Sequence, residues 1–197
     1  MSKTVVFFDF DGTITNKDTF IEFIKFAKGK SSFAIGFAIL APVLIMYKLR
    51  LIKNWKAKEM VLSYFFSGIR EEAFKAICED FCKKKLPELL RIKALDEIHM
   101  HQKLERTVYI VSASPENWIE PWAKKMGINL IGSKLEVVDG TITGKLQGLN
   151  CYGVEKEARI KCEVDLSTYN EIWAYGDSKG DKELLALANK AFYKPFR

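Results

Sequence analysis

Three apolar runs, each of which turns polar at its carboxyl end, constrain the fold most strongly. They are TVVFFDFD from Thr4, TVYIVSAS from Thr107 and EIWAYGDS from Glu171. Each run is rich in β-branched and aromatic residues and lacks the alternation of a strand that faces water on one side. Helical patterns separate the runs, so the sequence predicts an α/β fold, a Rossmann-like parallel sheet with helices on both faces.

The helices around these strands are predicted from their periodicity and flanking residues. One is expected over 115–126, with Pro115 in its first turn, and another over 154–162. Two shorter apolar stretches, INLIGS from Ile128 and AFYKPF from Ala191, are candidates for further strands.

A long helical stretch lies between the first two strands. It holds about ninety residues, more than a simple βαβ crossover needs. We expect residues 18–86 to form an inserted helical cap. Residues 1–17 and 87–197 then form the core domain, in which 87–103 is a helix that leads back to the sheet.

The pentapeptide DGTIT occurs twice, starting at Asp11 and at Asp139. The first copy follows a predicted buried strand and has Asp9 two residues upstream, where the second copy has Val137. Strand-like runs flank the second copy, and Asp139-Gly140 is typical of a type I′ turn. We expect a functional loop at the first copy and a small β-hairpin at the second.

Polar side chains gather after the predicted strands. Ligands of open α/β sheets bind outside the carboxyl ends of the strands, so these side chains are expected to share one crevice. The candidates are Asp9, Asp11, Ser112, Asp177 and Asp181, with Gly12 and Lys156 beside them. Taken singly, each has an ordinary structural explanation as a turn residue, a helix cap or a solvated lysine. The ordered set carries the functional interpretation.

The residue types in this set suit phosphoryl transfer. Asp9 can attack phosphorus, and Asp11 can protonate the leaving oxygen and later deprotonate water. Gly12 permits a tight turn whose amides can meet phosphate oxygens. Ser112 offers a hydrogen-bond donor and Lys156 a positive charge. The cluster of carboxylates calls for a cation, and Mg²⁺ prefers such oxygen ligands.

The ordered set resembles the four motifs of the haloacid dehalogenase superfamily of aspartate-nucleophile phosphohydrolases, over nearly the whole chain. FFDFDGTIT is similar to the first motif, YIVSAS to the second, Lys156 to the third and GDSKGD to the fourth. The resemblance implies a nucleophile at Asp9, a general acid/base at Asp11 and a phosphate-binding hydroxyl at Ser112. It also implies that Gly12, Thr13 and Lys156 bind phosphate.

The same resemblance implies a magnesium site. The metal would be held by the carboxylates of Asp9 and Asp177 and by the backbone carbonyl of Asp11, with Asp181 supporting these ligands.

The helical insertion is similar to that of the phosphoserine phosphatase subfamily. Asp18 falls where those enzymes carry a substrate-reading glutamate, and their Ser-Gly-Gly is replaced here by Ser112-Ala113-Ser114. Asp18 and Ser114 are therefore candidate substrate-reading residues. GVEKEARI, YGDSKGDKELL and the apolar insertion resemble the bacterial phosphatidylglycerophosphatase branch of the same subfamily.

The net charge of +6 is concentrated in the insertion. Residues 23–58 hold eight basic residues and no acid, and residues 33–47 carry no charge. As a helix of ~1.5 Å rise per residue, that uncharged stretch is shorter than the ~30 Å hydrocarbon core of a bilayer, and Pro42 would kink it. We favour a helix buried within the cap or in a dimer. The alternative is an interfacial helix, with residues 28–58 on an anionic membrane surface.

Composition disfavours several other functions. The four cysteines form no CxxC pair and His99 and His101 are the only histidines, so we expect no zinc site. The basic segment is too aliphatic to indicate nucleic-acid binding. MSKTVVFFDF does not resemble a signal peptide, so we expect a cytoplasmic protein, peripheral at the inner face of the membrane if the interfacial interpretation holds.

The leading functional hypothesis is a Mg²⁺-dependent phosphomonoester hydrolase that works through an aspartyl-phosphate. Its substrate would be a lipid phosphate such as phosphatidylglycerophosphate, or a small soluble ester such as phosphoserine. A non-catalytic lipid- or protein-binding module is the competing class. Nothing in the sequence specifies an oligomeric state.

Overall fold

A parallel sheet forms the centre of the computed structural model, which describes residues 3–197. The strands are β1 (Thr4–Phe8), β2 (Thr107–Pro115), β3 (Asn129–Ser133), β4 (Leu135–Val138), β5 (Thr141–Leu146), β6 (Glu171–Gly176) and β7 (Lys190–Tyr193). Five of them form the sheet, in the order β3-β2-β1-β6-β7, and every pairing in it is parallel. The predicted α/β fold is confirmed. Met1 and Ser2, which the predicted core domain includes, lie outside the described residues.

Helices cover the sheet and fill the connection between β1 and β2. They are α1 (Thr19–Ile39), α2 (Ala41–Lys48), α3 (Asn54–Phe66), α4 (Glu71–Lys84), α5 (Ile92–Lys103), α6 (Glu120–Met126), α7 (Val154–Glu163) and α8 (Lys182–Ala186). The first four helices form what we call the helical segment.

Strand β1 is buried on both faces, as its uninterrupted apolar run predicts. Val6 and Phe8 belong to the large apolar cluster that includes side chains of the helical segment, α5 and α6. Val5 and Phe7 point to the other face, where Ile160 of α7 packs. Because both faces of β1 are fixed by packing, the loop that follows it is held in place.

The helix predicted over 115–126 begins later than expected. Pro115 is extended (φ −53°, ψ 134°) and ends β2, where it pairs with Ser133 of β3. A short 3₁₀ turn follows at Glu116–Trp118, and Pro121 takes the first-turn position in α6. The prediction was wrong here because the pairing of β2 with β3 holds the chain extended past the polar strand end.

The helix predicted over 87–103 begins only at Ile92. Before it, Leu90 bridges to Thr15 and the backbone N–H of Arg91 donates to the carbonyl of Ile14 at 2.8 Å. These contacts draw residues 90–91 into an extended path beside the loop after β1.

The second copy of DGTIT forms the predicted hairpin. Asp139 and Gly140 both have positive φ, 49° and 67°, as a type I′ turn requires. The hairpin docks on α3 of the helical segment, since a Cβ added to Gly144 would lie 2.3 Å from the Cα of Ser63. The hairpin belongs to residues 87–197, the predicted core domain, and makes its contact with α3 from there.

The predicted kink is present: the uncharged stretch is broken at Leu40, between α1 and α2, and Pro42 lies in the first turn of α2. Of this stretch only Gly36, Leu40 and Val43 are buried. Side chains along its other face and the following loop are more than half exposed: Ile35, Ile39, Ile45, Leu49 and Leu51. The favoured interpretation, a helix buried within the cap, is therefore wrong for this outer face within one chain.

No single helix within residues 3–197 is long and apolar enough to cross a membrane; α1 and α2 pass that test only as a pair, and they are bent by 62°.

Candidate active site

Asp9, Lys156 and Asp181 form a buried charged cluster at the carboxyl ends of β1 and β6. Lys156, in the first turn of α7, donates to Asp9 Oδ1 at 2.6 Å, to Asp181 Oδ1 at 2.7 Å and to the carbonyl of Val111 at 2.7 Å. Thr13 Oγ1 donates to Asp9 Oδ2 at 3.1 Å. Asp9 is thus oriented through both carboxylate oxygens. The Lys156 ammonium group links Asp9, which follows β1, to Asp181, which follows β6.

Burial and charge act in opposite directions on this cluster. Burial raises the pKa of Asp9 to about 7, although the Lys156 cation opposes the shift. Burial alone would lower the pKa of Lys156, but the carboxylates of Asp9 and Asp181 outweigh it and raise that pKa. In Asp181, Lys156 and Ser178 overcome the effect of burial and lower the pKa. The cluster therefore favours a protonated Lys156 beside an ionised Asp181.

Asp11 is held on the side of the loop that faces the helical segment. Its Oδ1 accepts from both the backbone N–H and the hydroxyl of Thr19, each at 2.6 Å. Its Oδ2 accepts from Ser114 Oγ at 2.7 Å and from Ser112 Oγ at 3.4 Å. Ser112 Oγ in turn accepts from the N–H of Ser114 at 3.0 Å. The Asp11 carboxylate thus has a different set of hydrogen-bond donors from the Asp9 carboxylate.

Three carboxylates are close enough to share a cation. Oxygens of Asp9, Asp177 and Asp181 lie within 4.8 Å of one another, and all three residues are buried. Gly12 (φ +88°) lets the loop approach this cluster, because an added Cβ would lie 2.5 Å from Asp177 Oδ2. Such a set of oxygen donors fits Mg²⁺.

Asp181 accepts more hydrogen bonds than the other two carboxylates. Oδ1 accepts from Lys156, and Oδ2 accepts from the hydroxyl of Ser178 at 2.8 Å and from its N–H at 2.9 Å. This pattern suits a residue that supports the other carboxylates rather than one that coordinates directly. Burial raises the pKa of Asp177, and its carboxylate forms an ion pair with the Arg197 guanidinium.

A cavity of about 370 Å³ lies between these residues and the helical segment. Its polar wall includes Asp9, Asp11, Ser114, Lys156 and Asp181. The helical segment supplies a largely apolar wall: Phe20, Ile21, Phe37, Leu44, Ala57 and Val61. The cavity can therefore take a molecule with a polar end and an apolar body.

Asp18 and Ser114, predicted to read substrate, both line this cavity. Asp18 also caps α1, accepting from the N–H of Phe20 at 2.9 Å. Burial raises the pKa of Asp18, and so does the nearby Asp11.

Sequence analysis missed Thr19, Lys58 and Arg197. Thr19 anchors Asp11, Lys58 reaches the cavity from α3, and Arg197 contacts Asp177. The sequence did carry a signal for Thr19. It directly follows Asp18, a residue type that caps helices, so Thr19 could have been expected to begin a helix. Lys58 had been counted with the membrane-facing basic segment, and nothing in the sequence marks Arg197.

The fold and this cluster define an enzyme of the haloacid dehalogenase type. A sequence model of the haloacid dehalogenase-like hydrolases matches residues 6–186, and the chain belongs to that family. Protein CicA of Caulobacter vibrioides is 35% identical over 195 residues, which cover 98% of this chain and 86% of the relative. A probable phosphatase of Mycobacterium tuberculosis is 27% identical, covering 96% of this chain and 68% of the relative.

Solved structures show the same fold. A Bordetella pertussis protein of unknown function matches with a TM-score of 0.84 at 20% identity, covering 97% of this chain and 89% of that one. A substrate-bound phosphoserine phosphatase matches with a TM-score of 0.64 at 18% identity, covering 98% of this chain and 86% of that one.

Proposed function

We propose that this enzyme is a Mg²⁺-dependent phosphomonoester phosphatase that works through an aspartyl-phosphate. The observation that carries the proposal is the pair of differently held aspartates in one loop. Asp9 lies against Lys156, whereas Asp11, two residues on, is bound by Thr19 and Ser114. Two carboxyl groups with separate environments suit the separate roles of nucleophile and general acid/base.

In the proposed reaction, a carboxylate oxygen of Asp9 attacks phosphorus and the bond to the alcohol oxygen breaks. Asp11 gives its proton to that leaving oxygen. Asp11 then takes a proton from water, which attacks the phosphoryl group, releasing inorganic phosphate and restoring Asp9. Ser112, Lys156 and the Gly12-Thr13 backbone bind the phosphoryl oxygens.

The metal would be held by the carboxylates of Asp9 and Asp177 and the backbone carbonyl of Asp11, with Asp181 fixing its neighbours. Bound there, Mg²⁺ would supply positive charge that offsets the carboxylates and the phosphate. Lys156 also places a positive charge against Asp9, and its contact with Asp181 keeps the ammonium group in place.

Hydrolysis of p-nitrophenyl phosphate by the intact chain tests this function. We expect turnover that requires Mg²⁺ and that falls by a factor on the order of 10⁴ or more in Asp9→Asn. Asp139→Asn is the control, because it makes the same Asp-to-Asn change in the exposed hairpin turn, away from the candidate site. No activity in either protein would favour a non-catalytic binding module, and equal activity in both would show that Asp9 is not the nucleophile.

We also propose that residues 18–86 act as the cap over a core formed by residues 1–17 and 87–197. The cavity between the helical segment and the strand ends supports this division. The helical segment supplies the apolar wall, so it is placed to determine which alcohol group the enzyme accepts.

The apolar wall of the cavity and the outer surface favour a lipid phosphate, such as phosphatidylglycerophosphate, over a small soluble ester such as phosphoserine. Ile39, Leu49 and Leu51 are 57%, 64% and 70% exposed. They lie in the acid-free stretch of residues 23–58, whose lysines and arginine favour an anionic membrane. We therefore propose that residues 28–58 hold the protein peripherally at the inner face of the membrane.

Vesicle sedimentation tests this attachment. Wild type should pellet with vesicles of phosphatidylglycerol and phosphatidylcholine, and Leu49→Asp/Leu51→Asp should remain in the supernatant. Ile92→Asp/Leu149→Asp is the matched control, since both residues are exposed and lie outside this surface. If wild type stays in solution while it hydrolyses phosphoserine, the soluble-ester alternative is favoured.

A further inference from the structure

Lys58, on α3 of the helical segment, is a second lysine beside Lys156 that lines the cavity. Its Nζ donates to the carbonyl of Ala113 at 2.9 Å and to Asn150 Oδ1 at 3.1 Å, both uncharged acceptors. No carboxylate among residues 3–197 comes within salt-bridge distance of this ammonium group. A half-buried cation without a counter-ion is costly unless another group neutralises it.

The contacts of Lys58 fix its position relative to the proposed chemistry. Ala113 lies between Ser112 and Ser114, the two serines whose hydroxyls point to Asp11. Asp11 and Asp18 are the carboxylates that act most strongly on the Lys58 charge. Lys58 therefore stands on the side of Asp11, where the leaving oxygen receives its proton, rather than on the side of Asp9.

The ammonium group is also held firmly. Asn150, which accepts from Lys58, is bound in turn to Ser133 at 3.1 Å, and Ser133 donates to the carbonyl of Ala113 at 2.7 Å. A cation anchored to the core at two points and carried by the helical segment is suited to recognise a ligand at a set distance from Asp9. Burial lowers the pKa of Lys58 to about 8, although Asp11 and Asp18 oppose the shift, so the group remains largely charged at neutral pH.

From this geometry we infer that Lys58 binds a second anionic group, carried by the alcohol part of the substrate. The substrate class is then a phosphomonoester whose leaving alcohol bears a carboxylate or a further phosphate. This inference rests on the proposed phosphatase activity and adds a specificity residue to it. Lys156 and Ser112 are the groups proposed to bind the scissile phosphate. The Lys58 charge is therefore available to bind the alcohol part of the substrate.

Three esters of a three-carbon alcohol test the inference: propyl phosphate, 3-phosphooxypropanoate and 1,3-propanediol bisphosphate. The first has no second anion, the second has a carboxylate as its third carbon, and the third has a phosphate attached to its third carbon through an oxygen. We expect wild type to prefer one or both anionic esters by at least about tenfold in kcat/KM. The ester preferred distinguishes a carboxylate from a phosphate as the natural group.

The variant Lys58→Met should reduce kcat/KM for the preferred ester on the order of 10- to 100-fold, mainly through KM, and change propyl phosphate by less than about threefold. Lys58→Arg should restore part of the preference. Lys75→Met, which removes an exposed lysine of α4, should match wild type. A thermal melt of each variant reports on folding.

Two results would overturn the inference. One is wild-type turnover of all three esters without preference. The other is an equal loss for all three in Lys58→Met, acting through kcat, which indicates a structural or chemical role. If wild type hydrolyses none of the esters and no p-nitrophenyl phosphate, the phosphatase proposal itself fails and this inference falls with it.

Discussion

Lys156 Nζ lies 2.6 Å from Asp9 Oδ1, although the two residues are 147 positions apart in the chain. The same ammonium group binds Asp181 at 2.7 Å, and all three side chains are buried. Removal of the cation would leave two carboxylates buried without their partner. The contact therefore ties the stability of the core to the assembly of the candidate site.

We predict that Lys156→Met loses about 3–5 kcal/mol of unfolding free energy, the usual cost of breaking a buried ion pair. It should also abolish phosphatase turnover. Denaturant unfolding measures the first effect, and Mg²⁺ should restore part of the lost stability by supplying charge to the carboxylates. The control is Lys161→Met in the same helix, an exposed ion pair whose loss should cost at most about 0.5 kcal/mol. Equal effects in the two variants would contradict the prediction.

Gly12 should matter for its missing side chain as well as its backbone. Gly12→Ala places a Cβ only 2.5 Å from Asp177 Oδ2, at a φ of +88°. Gly68→Ala introduces nearly the same backbone strain, at φ +84°, with nothing within 4 Å of the new atom. Each should lose about 1–2 kcal/mol of stability, but only Gly12→Ala should lose activity and Mg²⁺ affinity. Titration of turnover with Mg²⁺ checks this, and full activity in Gly12→Ala would contradict it.

The sheet and most of the site were predictable because they depend on short-range signals. A strand buried on both faces is apolar along nearly all its length, as β1 is after Thr4, and the carboxyl ends of parallel strands lie at one edge of the sheet. Asp9, Ser112 and Asp177 therefore had to lie near one another. The hairpin was predictable because its two turn residues have to tolerate positive φ.

The remaining contacts depend on how the helical segment folds back over the sheet. Thr19 reaches Asp11 and Lys58 reaches Ala113 only in that arrangement, which no local pattern encodes. The exposed face of α1 and α2 was misjudged for a related reason. An apolar helix is usually buried, but here the other helices cover only one side of it.

His101 should make stability depend on pH between about 4 and 6.5. It is fully buried; its Nε2 lies 3.0 Å from the Tyr175 hydroxyl, which donates to Glu97 at 2.7 Å. Arg106 donates to its Nδ1 at 3.0 Å, so a second proton there would face the guanidinium. Burial lowers the pKa of His101 to about 4; Arg106 acts in the same direction and Glu97 opposes them.

The folded pKa of His101 is therefore below its unfolded value of 6.5. Above pH 6.5 both states are neutral and the stability contributed by this group is complete. As the pH falls from 6.5 to about 4, the unfolded chain binds the proton first, and on the order of 3 kcal/mol is lost. Unfolding in denaturant across this range should show the loss in wild type and in His99→Gln, an exposed neighbour in the same helix, but less of it in His101→Gln. The same slope in all three proteins would assign the pH dependence to other groups.

We expect the hairpin to pack against α3 only if residue 144 has no side chain. Gly144→Ala adds a Cβ 2.3 Å from the Ser63 backbone, whereas Gly148→Ala, at the same φ of +83°, meets nothing within 4 Å. Both variants carry the strain of a left-handed alanine, about 1–2 kcal/mol, and Gly144→Ala should lose a further 1–3 kcal/mol because backbone cannot yield as a side chain does. Since α3 also carries Lys58, Gly144→Ala should raise KM for the preferred anionic ester more than for propyl phosphate. Denaturant unfolding and the same three esters provide both measurements, and equal stability of the two variants would show that the hairpin does not rely on this contact.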